Sequence, residues 1–434
     1  MVNIRIFLLV VVFLAGQCVP VAYQATTDNS PTKVLLYKDA VYENEIKTVT
    51  LAPSDFMNSS HGKIPASSLV GGAPLLLGFD DLADKTYNYF VTIRHCNSDW
   101  APSSLPDIDY MKDYNEFRIT KYEMSLNTKV SYVHYTFEVP EVKLPGNYLL
   151  VVYRDPYKDD YILSKRFVVF DNRAPISLPD QLMGMNQTTG HAINFDVRYA
   201  GLGLTDPLNE ITATLIQNGR WDNAIEGLRP TFIRDNNETV EFRFFDHSNR
   251  FPPGNEFRYF GIESITSPGV NVRSIDREAS PVTVGLATDK PKTGLAYSFH
   301  RDLNGGFKTV NYDANNTTHY ADYLKVRFSL NAEQKVPGDV YVLGELANWG
   351  LTNENKMVWD AVSQQYVCDL LLKQGFYNYQ YYLKEETANN GNYFEGDHVD
   401  TENRYEVLVY MKRIGDRGEP LIGYFQFGIN ERPR

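Results

Sequence analysis

The sequence predicts an all-β protein, organised as tandem immunoglobulin-like β-sandwich domains. Three observations carry this. The 434 residues include 30 tyrosines and 24 phenylalanines, a weighting that suits pleated, half-buried strands. Apolar residues recur at every second position wherever a clear period exists. No window of a dozen residues forms a convincing amphipathic helix.

The chain opens with an export signature. Met1 to Arg5 is a short positive segment and Ile6 to Ala15 an unbroken apolar run. Ten residues fall short of the about 20 that a membrane-spanning helix needs, so residues 1–25 are expected to be a signal peptide. Two cleavage points fit, one after Gly16-Gln17-Cys18 and one after Ala25. Lipidation at Cys18 is disfavoured because Gln17 stands where a small residue is expected. No later stretch has 18 consecutive apolar residues, so no transmembrane segment is expected.

Strand patterns follow in order. In Val130–Val139 the residues Val133, Tyr135, Phe137 and Val139 share one face, opposite Tyr132, His134, Thr136 and Glu138. Val240, Phe242 and Phe244 repeat the alternation, as do Leu324, Val326, Phe328 and Leu330, and Tyr405, Val407, Val409 and Met411. The continuous runs Leu149–Tyr153 and Phe167–Phe170 predict strands covered on both faces. Pro145-Gly146-Asn147, Asp235-Asn236-Asn237, Pro252-Pro253-Gly254-Asn255 and Asn304-Gly305-Gly306 supply turns. Breaks at Arg173-Ala174-Pro175 and at Thr288 to Lys292 divide the chain into three expected sandwiches, residues 31–173, 175–288 and 292–426.

Charge and cysteine content narrow the function. A formal net charge of −12 is unfavourable for phosphate backbones, so no nucleic-acid partner is expected. Beyond Cys18 only Cys96 and Cys368 remain, too few for a disulfide framework, and two separately buried thiols are expected.

Catalytic constellations fail on geometry. His95, Cys96 and Asp99 have the residue types of a thiol nucleophile site, but neighbours on a strand point to opposite faces. The same alternation separates Asp80 from Asp81, for which a turn role after Phe79 is expected. Ser125, His134 and Asp80 lack a nucleophile-elbow context. Asp302, Asn304 and Gly305 echo the start of a calcium loop with Asp313 at its twelfth position, yet a satisfied turn is the default reading. No histidine pair has zinc-ligand spacing. No catalytic, metal or cofactor site is expected, and the protein is read as a non-enzyme.

The stretch Gly338 to Trp349, followed by Met357 and by Lys373-Gln374-Gly375-Phe376-Tyr377-Asn378-Tyr379-Gln380-Tyr381, resembles the glycogen-binding, early-set immunoglobulin module. Trp349 matches that family's sugar-stacking tryptophan. Gln380 stands in place of its sugar-contacting lysine, and the second tryptophan is missing. Trp349 is therefore weighed both as a core or turn residue and as a glycan contact.

A wider resemblance spans roughly residues 33–425. Asn88-Tyr89, His95-Cys96-Asn97-Ser98-Asp99-Trp100, Ser104-Leu105, Ser125-Leu126-Asn127-Thr128, Tyr132-Val133-His134-Tyr135 and Gly146-Asn147-Tyr148-Leu149-Leu150 occur in that order. Gln217 to Trp221, Gly254-Asn255-Glu256-Phe257-Arg258-Tyr259-Phe260, Asp302 to Gly305, Ala321 to Tyr323, Leu372 to Tyr381 and Glu402 to Tyr410 continue it. Together they resemble the type IX secretion plug family of Bacteroidota-type bacteria. The resemblance implies a periplasmic protein, held at the inner side of the outer membrane by protein contacts. It would dock on the periplasmic opening of a large outer-membrane β-barrel translocon and close the pore when no cargo is present. Cys96, Asp99, Trp100, Gly146, Asn147, Tyr148, Asn255, Glu256, Phe257, Arg258, Gly375, Tyr377 and Tyr379 are expected to serve structure within those motifs. The alternative is a periplasmic or surface glycan-binding protein using Trp349.

Overall fold

The computed structural model describes residues 33–54, 62–83, 85–154, 158–179, 190–314, 318–385 and 389–432. The expected signal peptide and Cys18 lie outside these residues. The fold is all-β, built from tandem sandwiches. The α-helices among the described residues are single turns, Asp107–Tyr110 and Pro207–Glu210.

The N-terminal sandwich closes one sheet, Ile46–Pro53, Leu75–Asp81, Val133–Glu138 and Lys121–Met124, over a second. The second sheet is centred on Tyr161–Phe170, Gly146–Arg154 and Tyr89–Cys96. Alternate residues Leu77, Phe79, Tyr89, Tyr135, Tyr148 and Leu150 fill the space between the sheets. Gly146–Arg154 is buried along almost its whole length, as its continuous apolar run predicts. Leu150 and Val152 face this core, while Leu149 and Val151 face a separate cluster with Ile216, Leu408, Tyr410 and Leu421. Apolar residues on both faces of this strand thus join the N-terminal sandwich to the middle one.

Beyond residue 173 the chain does not complete its sandwiches in linear order. Asn403–Met411 pairs antiparallel with Ile211–Gln217, Leu215 lying opposite Val407, and Leu421–Ile429 extends that sheet. The last hairpin therefore completes the middle sandwich, where Tyr405, Val407 and Val409 share a core with Phe195, Val197 and Val240. Conversely Arg258–Gly261 pairs with Gly375–Lys384, and Thr283–Leu286 runs parallel to Tyr323–Asn331. These segments, expected in the middle unit, contribute Phe260, Ile262, Val282, Val284 and Leu286 to the third core. The expected breaks at 288 and 292 are thus not where the cores divide. An alternating apolar strand can serve any sheet whose register it fits, so period alone did not assign these strands.

Candidate functional site

Two short motifs make the same corner in different sandwiches. In Pro145-Gly146-Asn147-Tyr148 the buried Tyr148 hydroxyl donates to the Leu144 carbonyl at 2.6 Å. In Gln374-Gly375-Phe376-Tyr377 the Tyr377 hydroxyl donates to the Lys373 carbonyl at 2.5 Å. Each ties the start of a strand to backbone four residues upstream, as in the tyrosine corner of immunoglobulin-like folds. Both glycines are required by close approach. A Cβ on Gly146 would stand 2.5 Å from His95 Nε2, and one on Gly375 would collide with the Lys308 carbonyl.

The polar residue beside the first corner faces outward, into the middle sandwich. Asn147 accepts from the Tyr410 hydroxyl at 2.8 Å and donates to the Asn97 carbonyl at 3.1 Å. Trp100, in left-handed backbone (φ 64°), meets Trp221 edge to face at 4.8 Å, with the Arg166 guanidinium 4.6 Å over its ring. Asp99 caps its own turn by accepting from Ala101 N. Across the same junction Glu419 accepts from Ser98 N at 3.0 Å, and Glu406 accepts from Ile64 N at 3.1 Å.

The N-terminal and third sandwiches share a buried ion pair. Asp80, fully buried at the end of Leu75–Asp81, accepts from Lys373 Nζ at 2.7 Å and from the Tyr323 hydroxyl at 2.6 Å. His134 Nδ1 lies 2.6 Å from its other oxygen. The Lys373 ammonium also sits 4.1 Å over the Tyr132 ring, and Asp322 caps Lys129 N and Val130 N. Burial pushes the Asp80 carboxyl up, but the Lys373 charge and the His134 and Lys373 hydrogen bonds outweigh it and hold it below the usual range. Asp80 is thus a link between sandwiches and not the turn residue expected. Asp81 points to the other face, where it accepts from the Tyr89 hydroxyl at 2.7 Å.

Within the third sandwich Arg258 gathers the Asn255 to Arg258 motif into one network. Its guanidinium reaches Glu395 at 2.9 Å, Asp289 at 2.8 Å and the Lys290 carbonyl at 2.8 Å. Tyr379 and Tyr381 donate to the second Asp289 oxygen, and Asn255 donates to the Glu395 carbonyl. Glu256 accepts from the Tyr297 hydroxyl, and Phe257 N donates to Asp302. Trp349 is half-buried. Arg220 covers its ring face at 4.2 Å, Phe257 meets it at 5.9 Å, and Gly305 lies so near that any Cβ would overlap the ring.

The weighed catalytic residues are placed for other work. Burial pushes His95 down to about 4, and its Nδ1 pairs with Ser103 Oγ at 2.9 Å. Burial pushes both the Cys96 and Cys368 thiols up to about 12, and neither is in a disulfide. Because the thiolate is the reactive form, iodoacetamide at pH 8 should leave both unmodified in the folded protein and label both in urea, as read by peptide mass spectrometry. Asp302 caps Phe257 N and Asn304 N, whereas Asp313 accepts from Ser264, Ile265 and Thr266, so the two do not share one loop. Among the described residues no cluster of three or more His, Cys, Asp or Glu side chains could hold a metal ion.

Glu406 sets a pH dependence. Burial pushes its carboxyl up to about 7 from an ordinary value of 4.5, although Tyr424, Ile64 N and Lys63 favour its charge. The folded state therefore disfavours the ionised form. The associated stability is complete below about pH 4.5 and is lost as pH rises through 7. Glu406→Gln should leave stability at pH 5 nearly unchanged and raise it at pH 8 by roughly 2 kcal/mol, measured by urea unfolding at both pH values.

Residues 46–171, the N-terminal sandwich with its Asp80, Trp100 and Tyr148 features, match the family described as "Type 9 secretion system plug protein 1st domain". The chain carries a type 9 secretion system plug domain. The resemblance read from the His95 to Trp100 and Gly146 to Leu150 blocks is borne out over that span. A crystal structure of a hypothetical protein from Parabacteroides merdae ATCC 43184 is similar at 28% identity and a TM-score of 0.84. The alignment covers 91% of this chain and all of that one. One superposition at that score takes in all three sandwiches, so their arrangement recurs in that protein. No curated protein matches. No helix among the described residues is long and apolar enough to cross a membrane.

Proposed function

We propose that this plug-domain protein binds the periplasmic opening of the large outer-membrane β-barrel translocon of type IX secretion and closes its pore when no cargo is present. The match of residues 46–171 to the plug family carries this reading. The physical requirement on a plug is stiffness. A wide aqueous pore is sealed by a body that keeps its shape when it is pulled from one side. Buried polar links at both junctions of the N-terminal sandwich supply this, through Asp80 to Lys373 and Asn147 to Tyr410. Apolar surface alone would let sandwiches slide, whereas a buried ion pair or directed hydrogen bond permits one register. The protein acts by occupation and without catalysis, in the periplasm, after removal of its amino-terminal signal.

Affinity purification of the tagged protein from solubilised native outer membranes, followed by mass spectrometry and negative-stain imaging, tests the reading. A near-stoichiometric complex with a very large barrel, and density at one opening, is expected. Recovery of the protein alone in the soluble periplasmic fraction would contradict it.

A further inference from the structure

One edge of the N-terminal sandwich is left open. Lys121–Met124 is the last strand of its sheet, paired on one side with Val133–Glu138 and, among the described residues, with no strand on the other. The register fixes which backbone groups are free. Ser125 N donates to the Tyr132 carbonyl at 2.9 Å, so alternation turns the backbone of Lys121 and Glu123 toward Val133–Glu138 and that of Tyr122, Met124 and Leu126 outward. Leu126 N already bonds on that side, donating to the His319 carbonyl of the third sandwich at 3.0 Å. The N–H and C=O groups of Tyr122 and Met124 have no partner among the described residues.

The side chains of this edge are uncovered as well. The Tyr122 ring lies 5.8 Å from that of the core residue Tyr135, and Met124 stands opposite the buried Val133, so both belong to the core-facing side of the sheet. The facing sheet ends in the two-residue strand Phe117–Arg118, and Tyr122 and Met124 remain 51% and 55% exposed, with Leu126 at 47%. Edge strands are ordinarily blunted by a proline, a bulge or an inward charge. This one has no proline and no register shift, and its charged residues, Lys121 and Glu123, take the opposite face.

An added strand would meet both deficits at once. Its backbone would pair with the free groups, and its own alternating side chains would cover Tyr122 and Met124. We propose that this edge receives an extended segment of the translocon barrel as an added strand. The segment is apolar at every second residue, with an acidic residue facing Lys121 and a basic one facing Glu123, the favourable arrangement for cross-strand neighbours. A closed barrel wall has no free edge, so the segment is one that leaves the wall at its periplasmic opening. The inference rests on the plug reading and gives that reading a contact surface.

The test uses the whole tagged protein, expressed in its native host and purified from solubilised outer membranes. Met124→Pro removes one outward N–H without breaking a bond to Val133–Glu138, and Met124→Lys/Leu126→Lys sets charge against the added strand. Each should lower the barrel recovered per tagged protein by about tenfold, the effect of one or two lost hydrogen bonds. Circular dichroism and the thermal midpoint should stay at wild-type values, and the lysine pair decides alone if the proline disturbs the fold. A photo-crosslinker at Tyr122 should join the protein to the barrel. Wild-type recovery by the folded variants would overturn the proposal and leave the plug reading standing, whereas failure of the wild type to recover the barrel would remove both. A dimer of the purified protein that Met124→Pro dissociates would assign the edge to a second copy and overturn the proposal as well.

Discussion

Lys373→Met should lower the unfolding free energy by about 3–5 kcal/mol in urea titrations at pH 7. The methionine fills a similar volume but removes the ammonium that lies 2.7 Å from Asp80, leaving a carboxylate with no exposed surface and no formal countercharge except through His134. The cost is chiefly that of an orphaned buried charge. Two further results follow from that cause. Asp80→Asn combined with Lys373→Met should recover more than half of the loss, because a neutral pair no longer carries the desolvation penalty. The pH response should also change. In the wild type Asp80 is held below its ordinary value of 3.8, so its contribution is present above that pH and is lost as pH falls through the lowered folded value. Without Lys373 burial dominates, the carboxyl moves upward, and the deficit of the variant should shrink as pH falls toward 4. A double variant no better than the single one would show that Lys373 acts by packing alone.

Tyr148→Ala and Tyr377→Ala should each cost about 3–5 kcal/mol by the same measurement, the range for deleting a large buried aromatic ring. Tyr148 stacks on Phe167 at 5.3 Å and meets His95 edge to face at 5.1 Å, while Tyr377 lies between Phe260 and Phe307, both at 5.3 Å. Each ring is thus packed between its cross-strand partners within one sheet and buried in the core of its sandwich, and the hydroxyls fix the corner. Tyr→Phe at either position isolates the second effect. It should cost about 1–3 kcal/mol, since it strands the carbonyl of Leu144 or Lys373 without its partner. Tyr377→Phe has an added reach, because Lys373 carries both the accepting carbonyl and the ammonium that binds Asp80. Equal losses for Phe and Ala at one site would mean that the hydroxyl, and not the ring, carries the corner.

How much of this could be read beforehand depends on how local each feature is. Strand identity was legible at Val133–Glu138 and Tyr323–Asn331 because period two is written in consecutive residues. The doubly covered strand Gly146–Arg154 was legible from its unbroken apolar run, although what covers the second face was not. The motif residues Gly146, Tyr148, Gly375 and Tyr377 stood out as patterns, and their common geometry emerged only once the hydroxyl contacts were visible. Partners distant in sequence were illegible. Asp80 and Lys373 are 293 residues apart, and Asp80 looked like one half of an adjacent acid pair. Lys373 follows Leu370, Leu371 and Leu372, a position where a charge is costly unless paired, and that was the one available signal. The return of Asn403–Ile429 to the middle sandwich left no local trace, because its alternation would suit either sheet.

Conductance of the purified type IX translocon barrel in a planar bilayer, recorded before and after this protein is added to the periplasmic side, tests pore closure most directly. Addition should close open, cargo-free channels in a concentration-dependent and reversible way, and Lys373→Met protein should close them less effectively. An open-channel conductance unchanged at saturating protein would contradict the proposed role.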